Sequence, residues 1–208
     1  MKSFSHHSFD YSKALTELNQ FGKLLKRKEL NERKDILPFF KKRSHLSAFL
    51  GAMTSEIVEF NRLAHEFDFF GDFTCDLAIG DANRHAYCFV EFEDAKQNSV
   101  FRSFANRSTP EWSSRFDHGL SQIVDWLWQL DDNRQTGKFR RVFGSNNIQY
   151  IALLVIGRTN FVSDMDRFRW RCSHTMIGHT KVFCYTYDQI YDALQAKVAY
   201  YASLSQQE

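Results

Sequence analysis

The sequence predicts an α/β domain, a central mixed β-sheet flanked by helices. Three observations predict it. A length of 208 residues suits one hydrophobic core. The apolar period is helical up to about residue 67, becomes two as far as Glu93, and is helical again from Trp112. Ile148 to Ile156 is an almost unbroken apolar run, as expected of a strand covered on both faces.

Leu15, Leu18, Phe21, Leu25 and Leu30 recur at helical spacing, which predicts an amphipathic helix from Tyr11 to about Lys34, closed before Pro38. Leu46 to Phe67 carries a second apolar stripe and is expected to be helical. Phe67 to Phe70, Phe73 to Ile79 and Ala86 to Glu93 then read as a three-stranded meander, broken at Gly71 and at the turn Gly80-Asp81-Ala82-Asn83. Trp112 to Asp131 is a helix with Phe116, Leu120, Ile123, Trp126, Leu127 and Leu130 on its buried side. Ile148 to Ile156 follows as a central strand. A short helix near Val162 to Trp170, a strand at Val182 to Tyr185 and a closing helix from Asp188 to Leu204 complete the chain.

Composition narrows the function classes. The 21 Phe and 2 Pro indicate a compact body rich in buried rings. The longest apolar run, Tyr150 to Ile156, is far short of the roughly 20 residues that cross a bilayer, and the first residues lack a signal-like stretch. No membrane association is expected, and the expected location is cytoplasmic. Cys75, Cys88, Cys172 and Cys184 form no CxxC pair, so a disulfide framework is not expected. Cys172, His174, His179 and Cys184 match no common zinc spacing. No GxGxxG, Walker loop, GxSxG or HExxH occurs, which leaves nucleotide-driven and serine or zinc hydrolase chemistry without support and implies no nucleotide cofactor.

Charge is segregated along the chain. Residues 23 to 43 hold nine Lys/Arg against three Asp/Glu, whereas residues 56 to 94 hold ten Asp/Glu against Arg62 and Arg84. The basic stretch reads as a solvated helix face or a nucleic-acid contact. In the acidic stretch, Asp76 lies on one strand and Glu91 and Glu93 on the next. Positions i and i+2 of a strand share a face, and pairing through the turn at 80 to 84 brings Asp76 alongside. Three converging carboxylates repel one another, and a hard divalent cation, magnesium (Mg2+) or manganese (Mn2+), resolves the repulsion. The alternative is a solvent-facing edge strand paired with Arg62 or Arg84.

The segment DLAIGDANRHAYCFVEFEDAKQNSVF resembles the core of the PD-(D/E)XK nuclease superfamily. More closely, VEFEDAKQNSVF, GLSQIVDW, the VIGR of Val155 to Arg158 and the TYDQIYDAL of Thr186 to Leu194 resemble the Shedu family of bacterial anti-phage proteins, from about residue 45 to 200. The resemblance implies a restriction-endonuclease-like core and divides the chain into a basic helical extension, 1–44, and a nuclease domain, 45–208. The long variable N-terminal region of many such proteins is not expected here. It further implies Asp76 and Glu91 as metal ligands, Glu93 where the family pattern has Lys, and Gln122 near the metal. Glu59, or else Glu56, is expected as a supporting carboxylate from the first helix, and Lys96 as a substitute for the absent Lys. The implied activity is metal-dependent hydrolysis of DNA, with Lys41, Lys42, Arg43 and Arg158 on the DNA surface and a homo-oligomer, dimer or tetramer. His118, His85 and the Arg167, Arg169, Arg171 series are further candidates for phosphate contact. A catalytically silent nuclease-like domain that binds DNA or a protein partner is the alternative from another class. A glycosidase acid and base pair is a third, disfavoured by the lack of a sugar-stacking Trp on these strands.

Overall fold

The computed structural model describes residues 3–204. Its centre is a seven-stranded mixed sheet. In chain order the elements are β1 (Ser5–His6), α1 (Tyr11–Leu24), α2 (Leu37–Lys41), α3 (Ser44–Phe49), β2 (Arg62–Phe69), β3 (Phe73–Asp81), β4 (Ala86–Phe92), β5 (Phe101–Arg102) and β6 (Glu111–Trp112). They continue as α4 (Ser114–Asn133), α5 (Gly137–Phe143), β7 (Gln149–Val155), α6 (Met165–His174), β8 (Met176–Ile177), β9 (Thr180–Tyr185) and α7 (Tyr187–Leu204). Across the sheet the order is β1-β2-β3-β4-β7-β9-β8, with β4, β7 and β9 parallel and the other neighbours antiparallel. The meander and the central position of the 148–156 run are as the alternation predicts.

Two apolar layers enclose the sheet. Ala86, Cys88, Val90 and Phe92 of β4 pack into one with α1, α2, α3 and α7, while Tyr87 and Phe89 pack into the other with α4, α5 and α6. The first 44 residues thus share a core with the sheet through Ala14, Leu18, Phe21, Ile36 and Phe40. Among the described residues no helix is long and apolar enough to cross a membrane.

Two expected helices are shorter than their apolar stripes. The first ends at Leu24, and a π-helical turn, Glu32–Ile36, capped by Asn31 follows. The second stops at Phe49 and passes through a 3-10 turn, Leu50–Met53, and a loop before β2 begins at Arg62. The helix-like spacing of Ile57, Phe60, Leu63 and Ala64 has another cause. Ile57 and Phe60 anchor a loop, and Leu63 and Ala64 are successive strand residues facing opposite layers.

The paired strands β2 and β3 turn over together in mid-course. Leu63 faces one layer but Phe67 and Phe69 the other; likewise Cys75 faces one layer and Leu77 and Ile79 the other. An unbroken period of two would keep each set on one side. The inversion falls at Glu66, whose φ is 56°, and at Asp76 opposite it, between the pairs His65↔Leu77 and Phe67↔Cys75. A left-handed backbone is uncommon for a residue with a side chain.

Arg158 differs from the expected DNA contact. It is 8% exposed, and its guanidinium donates to both carboxylate oxygens of Asp188 and to the carbonyls of Leu25 and Arg27. Such a fork is spent on tying the end of α1 to the start of α7. Arg158→Ala, which strands Asp188 and two carbonyls, is expected to cost about 3 kcal/mol or more in chemical denaturation. A loss under about 1 kcal/mol would refute the clamp.

Candidate active site

The inversion at Asp76 and the end of the β3–β4 pairing coincide. The ladder between these strands runs from Asp81↔Ala86 to Leu77↔Val90, although β3 begins at Phe73 and β4 continues to Phe92. Beyond Val90 the strands fork. The Asp76 carboxylate takes the N–H of Phe92 at 2.8 Å, where a strand carbonyl would otherwise accept it. The tip of the β2–β3 hairpin leans instead on α4, through Gln129 on Asp72 and Phe69 stacked on Trp126.

In the fork lies a cavity of about 610 Å³ lined by Asp76, Glu91, Glu93 and Glu32 among others. Glu91 and Glu93 are 5% and 1% exposed. Their burial, with the neighbouring carboxylates, pushes Glu91 well above the usual range; burial, partly opposed by Arg115, pushes Glu93 up to about 8. Asp76 is pushed up to about 7 by burial, against the Phe92 hydrogen bond and reinforced by Glu32. Oε2 of Glu91 is buried with no hydrogen-bond partner among the described residues.

Glu32 escaped sequence reasoning because it sits in a basic run. Leu30 and Ala95 exchange two main-chain hydrogen bonds, and the Glu32 N–H donates to Asp94 at 2.7 Å, which pins this turn to the end of β4. The signal was an acid two residues after Leu30 and four before Ile36, both buried. Arg115, also missed, stands with His118 and Gln122 on one face of α4, at positions three and seven residues apart, and all three line the cavity. Its Nη1 donates to Glu93 at 3.0 Å and to Glu32 at 3.1 Å. One turn on, Gly119 lets the helix close on β7 and on the residue after β4: a Cβ there would lie 2.6 Å from Leu154 and 3.2 Å from Cγ of Glu93.

Other expected residues lie elsewhere. Glu59 accepts from Asn61 and Asn83, beside the turn at Asp81, five strand residues from Asp76 and so roughly 16 Å away. No single ion could join both; the cavity is lined instead by Glu32 and Glu66 beside the three strand carboxylates. Glu56 is likewise outside, in the loop before β2. Lys96 is bound to Asp94 at 2.7 Å and does not line the cavity. Arg43 stacks on Phe39 and donates to Gln20 and to the Phe39 carbonyl, facing a separate recess against α1. Lys41 and Lys42 do line the cavity, Lys41 lying 3.7 Å from Glu66. His85 donates to the Phe143 carbonyl at the far end of the sheet, and Arg167 and Arg171 clamp the segment around Trp112.

The donor set suits a hard divalent ion, since every ligand candidate is a carboxylate oxygen and one of them is orphaned. Among the described residues no three His, Cys, Asp or Glu side chains already form a cage for a metal ion. Asp76 is turned to Phe92 and Glu93 to Arg115.

The chain matches the protein family described as Shedu protein SduA, C-terminal, over residues 29–191. That match takes in Glu32 and the basic stretch from residue 29 onward. No curated protein matches the chain.

Raised carboxylates carry a pH signature. In metal-free protein, Asp76 and Glu93 keep protons to about pH 7 and 8 that the unfolded chain loses near pH 4. Their contribution to stability is therefore present at low pH and lost as pH rises through that window. Asp76→Asn is expected to gain melting temperature over the native chain progressively between about pH 4 and 7. A constant difference across that range would contradict the assignment.

Proposed function

Because the chain belongs to the Shedu SduA C-terminal family, which points to anti-phage defence, we propose that it is a divalent-metal-dependent DNA endonuclease whose active centre is the carboxylate cavity. The observation that carries this reading is the buried, unpartnered Oε2 of Glu91 beside Asp76 and Glu93. A buried acid oxygen without a partner is costly unless something positive completes it. Asp76, Glu91 and Glu93 would hold magnesium or manganese, with Glu32 in support. When bound, the cation polarises the phosphoryl oxygen and lowers the pKa of a nearby water. The water oxygen bonds to phosphorus as the bond to the 3′-oxygen breaks. One water proton passes to a carboxylate of the pole and from there to the departing 3′-oxygen, while the other stays on the new phosphate oxygen.

Lys41 and Lys42 border the same cavity and supply sequence-independent attraction for the DNA backbone. Assembly into a dimer or tetramer belongs to this reading. One observation favours a silent, DNA-binding domain instead: Glu93 is engaged by Arg115, so the third ligand is not free.

Incubation with plasmid and magnesium separates the two. Cutting is expected, and Glu91→Ala should slow it at least ~100-fold with the fold retained. Binding without cutting under magnesium and manganese would favour the silent domain. Reversing charge at Lys41 and Lys42 should weaken DNA binding more at low salt than at high, lowering the salt slope by roughly one per lost contact. An unchanged affinity at both salts would dismiss that patch.

A further inference from the structure

We propose that Arg115 is a catalytic residue of this nuclease, the side chain that contacts the scissile phosphate and stabilises the charge developing on its oxygens. The inference rests on the nuclease reading above. Its ground is the arrangement of the guanidinium relative to its partners. The Arg115 side chain is 43% exposed, whereas those of Glu93, Asp94 and Glu32 are 2%, 8% and 15% exposed. The carboxylates therefore lie beneath the guanidinium, which forms the cavity wall above them.

The partners do not exhaust it. Both short hydrogen bonds fall on Nη1, and Nη2 is 3.6 Å from Asp94, beyond hydrogen-bonding reach. An arginine has five N–H donors in a planar fork that matches two phosphate oxygens. Donors thus remain for a ligand in the cavity. Against its own partial burial, the carboxylates of Glu93, Asp94 and Glu32 strengthen the hold of Arg115 on its proton.

Position supports the role over a purely structural one. Arg115 lies in the first turn of α4, capped by Ser113 on the Phe116 N–H, and Gly119 lets that helix sit against Glu93. The guanidinium is held in place before any substrate arrives, as stabilisation of a transition state requires. Lys41 is tied to Glu66 and Lys96 to Asp94, whereas Arg115 is the cation hydrogen-bonded to Glu93 itself. It forms no covalent bond and transfers no proton. Charge spread over the phosphoryl oxygens is what it meets.

The test uses the full chain. Plasmid cutting in magnesium at saturating DNA is compared with binding of a short duplex in calcium, for Arg115→Ala and for Arg115→Gln, which keeps the stem without the charge. Both variants should cut about 100-fold more slowly, with duplex affinity within about threefold of the native chain. Arg115→Lys should recover part of the lost rate. Cutting by a folded Arg115→Gln within about threefold of the native rate overturns the proposal. So does a loss of duplex affinity as large as the loss of rate, which makes Arg115 a binding or structural residue. If Arg115→Ala does not fold, Arg115→Gln decides. A native chain that cuts no DNA removes the nuclease reading and this one with it; a native chain that cuts beside equally active variants removes only the role of Arg115.

Discussion

Burying several carboxyl groups at the end of one strand is the constraint around which this molecule is organised. Water is excluded from Glu91 and Glu93 by α4 on one side and by the turn carrying Glu32 on the other. A low-dielectric setting makes mutual repulsion expensive, and the protein offsets it in three ways. Asp76 takes a main-chain N–H, Glu93 takes a guanidinium, and Asp94 takes a lysine and a backbone amide. Glu91 is left over.

Asp81 shows what a structural buried carboxylate looks like in the same strand. It is 1% exposed, yet burial is outweighed by four backbone N–H groups, from Val58, Glu59, Asn83 and Arg84, and its acid is held below the usual range. Five residues away, Asp76 is pushed the other way with one such bond. Fully satisfied, a buried acid holds a turn together; under-satisfied, it is available for a cation. Within β3 the same residue type is thus fully satisfied at the strand's end and under-satisfied in its middle.

Much of this was legible in the sequence, for local reasons. The turn at 80 to 83 sets which residues of β3 and β4 face each other, so that Asp76 and Glu91 share a cavity follows from counting. Gln122 was reachable only through the family resemblance of GLSQIVDW. Glu32 and Arg115 were not, because their place depends on the main-chain pair between Leu30 and Ala95 and on the approach of α4 to β7 and to the residue after β4 at Gly119, contacts between distant parts of the chain. Glu59 was misplaced because an apolar stripe at helical spacing was produced by a loop and a strand facing two layers. Arg158 was misjudged because an arginine after a strand looks the same whether its fork meets solvent or a buried aspartate.

The inversion at Glu66 also bears on solubility. β1 pairs with β2 over two residues, Ser5↔Leu63 and His6↔Arg62, so the rest of β2 forms a margin of the sheet with no neighbour across it among the described residues. A straight, apolar margin of that kind is a template onto which a strand of another molecule can add. A left-handed residue in its middle breaks the row of hydrogen-bonding groups, and Glu66 and Asp68 add charge on either side of Phe67. The same kink that turns Asp76 toward the cavity thus guards the protein against fibrous self-association.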